Sequence, residues 1–471
     1  MTDITDLDAL TLSKAIKDKT VSCQEVMKAY LDQIKRYNPK INAIISMQSE
    51  EKLMKEAQAY DNIESKGWLH GIPIAIKDLS ETKNLKTTWG SPLFKDHIST
   101  EDSIVSERIK KDGAIIIGKT NTPEFGLGSH TYNPVNGITR NPYNLRKTAG
   151  GSSGGTAAAL AANLLPVADG SDMMGSLRNP AAYNNIYGFR PTWGLVPNDA
   201  DGDNFMQTLA TSGPMGRNPM DMARLLETMV GPNPLLPLNR IPGDCYTSGL
   251  DQTVSSKRIG WIGDWSGYYQ YENGIKDLCK NALNQYSKMG VEIEKFIPEF
   301  DPKLLWSSWL TLRSWSVSNG MKDLFQDKNK RKLLKPEIIY EIESGLALSA
   351  SQVYEASVVR SNWFKYLRGV FSKFDALALP SAQVFPFDVE QDWPKQINNT
   401  EMSTYHQWME VVIPVSLVGL PSISIPCGFG KQNLPMGLQL FGAQGHDKLM
   451  LQFAQNYHQI IDWPNQEKPI L

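Results

Sequence analysis

Between positions 150 and 180 the chain twice places a Gly/Ser cluster directly ahead of a helix-favouring run. Gly150-Gly151-Ser152-Ser153-Gly154-Gly155 opens an alanine-rich segment that ends near Ala162, and Pro166-Val167-Ala168 then reads as a strand. The second cluster follows within Asp172-Met173-Met174-Gly175-Ser176-Leu177-Arg178-Asn179-Pro180. Glycine lets backbone approach a ligand closely and adopt positive φ. A turn that opens a helix presents free N–H groups and a positive dipole end. That place suits an anion, or an oxygen that becomes one during reaction. Each cluster is therefore a candidate phosphate cradle or oxyanion hole.

The phosphate reading fails on composition of the motif. No G-x-x-x-x-G-K-[ST] is present, and no G-x-G-x-x-G follows a strand. Gly151-Ser152-Ser153-Gly154-Gly155 also fits G-x-S-x-G, the nucleophile elbow, with Ser153 as nucleophile and His406, His446 or His458 downstream. An elbow needs a strand before it, and Asn141-Pro142-Tyr143-Asn144 reads as loop. A tight turn packing a helix onto a sheet accounts for the first cluster equally well.

The rest of the chain reads as an α/β protein. Ser22-Cys23-Gln24-Glu25 is a capping box, and Val26, Met27, Tyr30, Leu31 and Ile34 continue it at helical spacing until Asn38-Pro39. Gly71 to Lys77 and Gly113 to Gly118 are short apolar runs with the pattern of buried strands. Residues 231–256, rich in Pro, Gly and Ser, read as a connector. A strand at 258–262, a helix at 275–289 and a strand at 291–293 follow, then a tryptophan-rich helical section at 303–372. Strands are expected at 375–379 and 422–425.

Charge and cysteine usage remove several function classes. Lys plus Arg is 48 and Asp plus Glu is 50, a net charge of −2, so nothing pulls the chain as a whole toward nucleic acid or anionic lipid. The four cysteines lie far apart with no C-x-x-C, and the six histidines show no metal-ligand spacing. Sparse cysteines fit a reducing compartment. The first residues have neither a basic nor an apolar signal region, so a cytoplasmic location is expected. The apolar stretch Val411 to Phe429 carries three prolines and reads as buried strand and loop.

Taken together, the two clusters resemble the amidase signature family. The residues that carry the likeness are Gly150 to Gly155, Asp172, Gly175-Ser176-Leu177-Arg178 and Pro180. Further likeness lies in Gly71 to Asp78, Gly118-Lys119-Thr120-Asn121-Thr122-Pro123-Glu124-Phe125, and Gly188-Phe189-Arg190-Pro191-Thr192-Trp193-Gly194. The closing elements Gly419 to Gly428 and Pro435 to Leu440 match as well. The resemblance covers nearly the whole chain in family order. It implies one domain over 1–471, an α/β/α fold whose mixed central sheet is covered by helices on both faces.

The resemblance also implies an amidase with a Ser-Ser-Lys group. Ser176 would be the nucleophile, Ser152 the bridging serine on a cis Gly151–Ser152 bond, and Lys77 the base. The backbone N–H groups of Met173, Met174, Gly175 and Ser176 would hold the oxyanion. A serine hydroxyl needs a base, and a lysine serves only when neutral, which burial favours. Lys77 follows Ile74-Ala75-Ile76, an apolar setting, and on a strand Asp78 would point the other way. Met174, Gly151 and Ser153 are expected to line the substrate. Asp172 and Arg178 are expected to bracket the loop as an ion pair, with a substrate carboxylate as the other role for Arg178. No metal and no cofactor is implied.

Met174 departs from the family pattern, which has mostly glycine there, and points to altered substrate choice. Partners are a small amide substrate, with no nucleic acid and no membrane insertion, and a homodimer is compatible. Alternatives within the family are the glutaminase subunit of a glutamine-dependent aminoacyl-tRNA amidotransferase and a linear or cyclic oligoamide hydrolase resembling 6-aminohexanoate cyclic-dimer hydrolase. Asn184-Asn185 and Met173-Met174 depart from the former. A lipid-amide hydrolase and a non-enzymatic binding module are weaker readings, the second opposed by the intact Lys77, Ser152 and Ser176.

Overall fold

The apolar runs around Lys77 and Lys119 have too few polar positions for a half-exposed sheet, and in the structure both are buried throughout. The structure, a computed structural model, describes residues 3–243, 245–430 and 432–471. A three-stranded sheet joins β1 (Ile44–Ile45), β2 (Pro73–Lys77) and β3 (Ile115–Thr120) in the order β1-β3-β2. β2 and β3 run parallel, and every residue of both is buried.

The large sheet has eight strands. In chain order they are β4 (Val167–Asp172), β5 (Tyr187–Arg190), β6 (Thr211–Gly216), β7 (Arg258–Trp261), β8 (Glu292–Lys295), β9 (Ala376–Pro380), β10 (Ser422–Phe429) and β11 (Pro435–Phe441). Their spatial order is β8-β7-β9-β11-β10-β5-β6-β4. β7 pairs parallel with β8 and β9, and the remaining pairs are antiparallel, so the sheet is mixed. Helices cover it, among them Gly154–Ala161, Arg178–Tyr183, Ile275–Lys288 and Asp447–Ile460. This is the expected α/β architecture.

The junction between the sheets positions the site. β4 ends the large sheet, and there Asp169 Oδ1 accepts the Lys77 N–H at 3.0 Å. The small sheet thus docks on that edge through a side chain. The Gly155 position is tight for the same reason. A Cβ there would sit 2.3 Å from the Asn121 nitrogen, so only glycine lets the helix reach β3.

Local signals behave as sequence physics requires, with one exception. The Ser22–Glu25 capping box is formed. The helix it opens does not stop at Asn38-Pro39 but runs Cys23–Ile41 with Pro39 inside. It ends at Asn42, which, in the left-handed region at φ 55°, donates its N–H to Asn38 O. The section after position 302 is helical over Pro302–Gln326, Lys328–Arg331, Pro336–Leu346 and Ala350–Val370. Among the described residues, no helix is long and apolar enough to cross a membrane.

Candidate active site

Lys77 ends β2 in full burial, and its amine meets three serines. Nζ donates to Ser152 Oγ at 2.8 Å, to Ser153 Oγ at 2.9 Å and to Ser171 Oγ at 3.0 Å. Burial pushes its pKa down to about 7, against the pull of the Asp169 and Asp172 carboxylates. Asp78 turns away, as strand alternation requires. Its carboxylate accepts the Thr88 N–H at 3.1 Å and the Thr88 hydroxyl at 2.5 Å. The other buried lysine of this region, Lys119, bonds Ser80 O and, at 3.0 Å, Thr82 Oγ1, and has no hydrogen bond to Ser152, Ser153 or Ser171.

The Gly151–Ser152 peptide bond is cis. Ser153 begins the helix Gly154–Ala161, and its N–H donates to Ser176 O at 3.2 Å. That bond ties the first Gly/Ser cluster to the second. Ser152, Ser171, Ser176, Met173 and Met174 line one cavity of about 270 Å³. Gly151 and Ser153, expected beside the substrate, lie outside this lining. The Ser153 hydroxyl is fully buried and committed to Lys77 and, at 3.3 Å, to Ser171 O. That commitment also removes Ser153 as an elbow nucleophile. Of the three downstream histidines only His406 reaches the cavity.

The loop after β4 is held from behind by a buried bracket. Asp172 accepts Arg178 Nε at 3.0 Å and Arg190 Nη1 at 2.9 Å. Burial alone would raise its pKa, but the two guanidinium groups hold it well below the usual carboxylate range. Arg178 bonds further to Gln439 Oε1 at 2.7 Å and Ser416 Oγ at 2.6 Å. It is fully buried and absent from the cavity wall, so it does not meet a substrate carboxylate.

Asp172 also fixes the loop backbone, accepting the Gly175 N–H at 2.8 Å. This corrects one expected oxyanion donor, because the Gly175 N–H already has a carboxylate partner. Among the described residues the N–H groups of Met173, Met174 and Ser176 carry no such bond. Gly175 itself has φ +78°, and a Cβ there would sit 2.9 Å from Val412 Cγ1. Met174 needs no glycine-like backbone, and its side chain forms part of the cavity wall.

The far wall comes from the helix Pro302–Gln326, through Arg313, Ser316, Val317, Gly320 and Met321. The tryptophans of the helical section do not line the cavity. Trp309 and Trp363 are fully buried, and Trp363 Nε1 donates to Pro414 O at 2.8 Å. A second chamber of about 530 Å³ shares Met173, Gln207, Ala210, Ser316 and Gly320 with the first. The connector helps to line it through Leu236, Leu238 and Asn239. No metal-holding cluster of His, Cys, Asp and Glu occurs among the described residues.

The family model described as Amidase matches residues 25–451. This chain belongs to the amidase family. It is similar to a glutamyl-tRNA(Gln) amidotransferase subunit of Alkaliphilus metalliredigens, 32% identical over 97% of this chain and 96% of the relative. It is 28% identical to an acylamidase of Rhodococcus erythropolis, over 98% of this chain and 97% of the relative. The crystal structure of a bacterial aryl acylamidase of the amidase signature family superposes with a TM-score of 0.91 at 26% identity, covering 98% of this chain and 97% of that one. The protein is thus an amidase-family hydrolase acting on amide C–N bonds.

Some residues around this amidase site make contacts that the local sequence does not reveal. Arg190, Gln439 and Ser416 reach the Asp172–Arg178 pair from three other segments. Asp169 and Ser171 sit beside Lys77 because β4 runs four residues past Ala168. Arg313 and its partner Glu341 belong to the helical section 303–372, where no motif marks them.

Proposed function

We propose that this amidase cleaves carboxylic amides through an acyl-enzyme on Ser176. The observation that carries this is the buried Lys77 amine 2.8 Å from Ser152 Oγ, at the wall that also holds Ser176. A lysine with a pKa near 7 is about half neutral at neutral pH and accepts a proton there. Ser176 Oγ attacks the amide carbon as its proton passes to Ser152, and the Ser152 proton passes to Lys77. The N–H groups of Met173, Met174 and Ser176 receive the oxyanion. Collapse breaks the C–N bond, and the proton returns by the same relay to the leaving amine. Water then attacks the acyl carbon, with its proton taken by the relay, and releases the acid. No step calls for a metal or a cofactor.

Labelling with a fluorophosphonate and mapping the modified peptide tests the assignment. The adduct is expected on Ser176 and is expected to depend on Lys77. An adduct on another serine would overturn it.

We read the protein as cytoplasmic, on the sparse cysteines, and compatible with a homodimer. Membership of a tRNA amidotransferase complex is the second reading, on the strength of the 32% identity over almost the full length. Glutaminase activity together with co-purification of partner proteins would favour it over a free-standing amidase.

A further inference from the structure

Among the described residues, Arg313 is the one charged residue in the wall of the cavity that holds Ser176. Two of its three nitrogens have oxygen acceptors. Nε donates to Glu341 Oε1 at 2.7 Å, and Nη2 donates to Tyr405 Oη at 2.7 Å. Glu341 is held in turn by Ser314 Oγ at 2.6 Å and Tyr405 Oη at 2.8 Å. The remaining nitrogen, Nη1, points at the Met173 thioether, with Sδ at 3.2 Å. Sulfur of this kind is a weak acceptor. A buried guanidinium N–H with only such a partner is under-satisfied, and hydrogen bonds to a charged donor are among the stronger ones. Methionine is also flexible enough to give way.

The geometry points to Arg313 Nη1 as the specificity contact of the site, reading a second, electrically neutral oxygen acceptor in the substrate, such as a ketone or amide carbonyl near the scissile amide. Met173 Sδ holds that place when no substrate oxygen is there. This deepens the amide-hydrolysis reading above and rests on it.

The neutrality follows from the charge balance. Arg313 and Glu341 form a pair that is 4% and 1% exposed, so their charges cancel where they meet the cavity. Burial opposes both charges, yet each group holds its partner ionised. His406, the other titratable group of the wall, is kept neutral by burial, with a pKa pushed down to about 3. A substrate carboxylate would enter with no net countercharge and lose its water. A carbonyl oxygen brings a lone pair without that cost.

The test compares hexanamide with analogues bearing a ketone at successive chain positions, and N-butylacetamide with its ketone analogues, alongside one chain-terminal carboxylate. The expected result is one ketone position preferred by about tenfold in kcat/KM, mostly through KM. In the double variant Arg313→Gln with Glu341→Gln, which leaves no unpaired buried charge, that ratio is expected to fall to about one. A structural role alone would lower both members of a pair together and keep their ratio.

No preferred ketone in the wild type would overturn the inference, whether or not the variant folds. So would a preference that survives in the double variant, or a carboxylate preferred over every ketone. Failure of the hydrolase reading looks different. There the wild type would cleave neither parent amide and take up no fluorophosphonate, and both readings would fall.

Discussion

Two arginine–carboxylate brackets grip the same short loop, and they differ in how completely their donors are used. Behind the loop, Arg178 bonds only to oxygens, from Asp172, Gln439, Ser416 and Val412. In front of it, Arg313 leaves one nitrogen on a thioether. The rear bracket holds the Gly175 N–H through Asp172. The front bracket touches the loop through the Met173 side chain and stands in the cavity wall. A saturated bracket fixes geometry, whereas an unsaturated one keeps a donor for something that arrives later. That difference separates frame from reader better than burial does, because both arginines are buried.

Several measurements would break or sharpen this contrast. The largest effect belongs to neither bracket. Ser176→Ala should lower kcat on the order of 10⁶-fold with the unfolding midpoint nearly unchanged. Residual turnover close to wild type would remove the loop both brackets serve.

Next comes the frame. Arg178→Met strands a buried Asp172 against Arg190 alone and should destabilise the protein by about 3–5 kcal/mol in denaturant titration. Neutralising the front pair, Arg313→Gln with Glu341→Gln, should change stability by only about 1 kcal/mol, because no lone charge is left behind. Equal losses in the two experiments would collapse the distinction.

Smaller again is Met174→Gly. It widens the cavity by one thioether chain without touching either bracket. Relative kcat/KM should move roughly tenfold toward bulkier acyl groups, measured across an acyl-length series. An unchanged profile would show that Met174 only packs.

The smallest shift concerns pH. On the proposed relay the base is neutral Lys77, so kcat should rise with pH and level off above about 7. The Asp169 carboxylate raises that pKa, so Asp169→Asn should move the acid limb to lower pH, by up to about one unit. A move to higher pH would reverse the sign of the argument.

What the sequence revealed follows from where its constraints are local. Lys77 at the end of Ile74-Ala75-Ile76 could be placed on a buried strand, because three apolar residues and one lysine already describe that environment. Asp172 and Arg178 lie six positions apart on one loop, so their pairing was accessible too. Arg190 and Gln439 were not, since only β5 and β11 lying in the same sheet bring them to Asp172. The Gly175 N–H could not be excluded as an oxyanion donor without seeing the Asp172 carboxylate 2.8 Å away. Tryptophan content does not mark the cavity wall. Large apolar side chains go to the core first, and the helix Pro302–Gln326 lines the cavity with Arg313, Ser316 and Gly320 instead.

The docking of β2 on the edge of β4 has a bearing on how the chain acquires activity. On the proposed relay the Lys77 amine and the Ser152 hydroxyl lie 75 positions apart, one at the end of β2 and the other just ahead of the helix Gly154–Ala161, and meet only after that docking. Contacts of such separation form late in a folding reaction, because the long loop between them must first close. A nascent or partly folded chain, helices already in place, would therefore carry no hydrolytic power toward its surroundings. On dilution from denaturant, the far-ultraviolet helix signal should return before turnover does, which makes enzymatic activity itself a clock for the last stage of assembly.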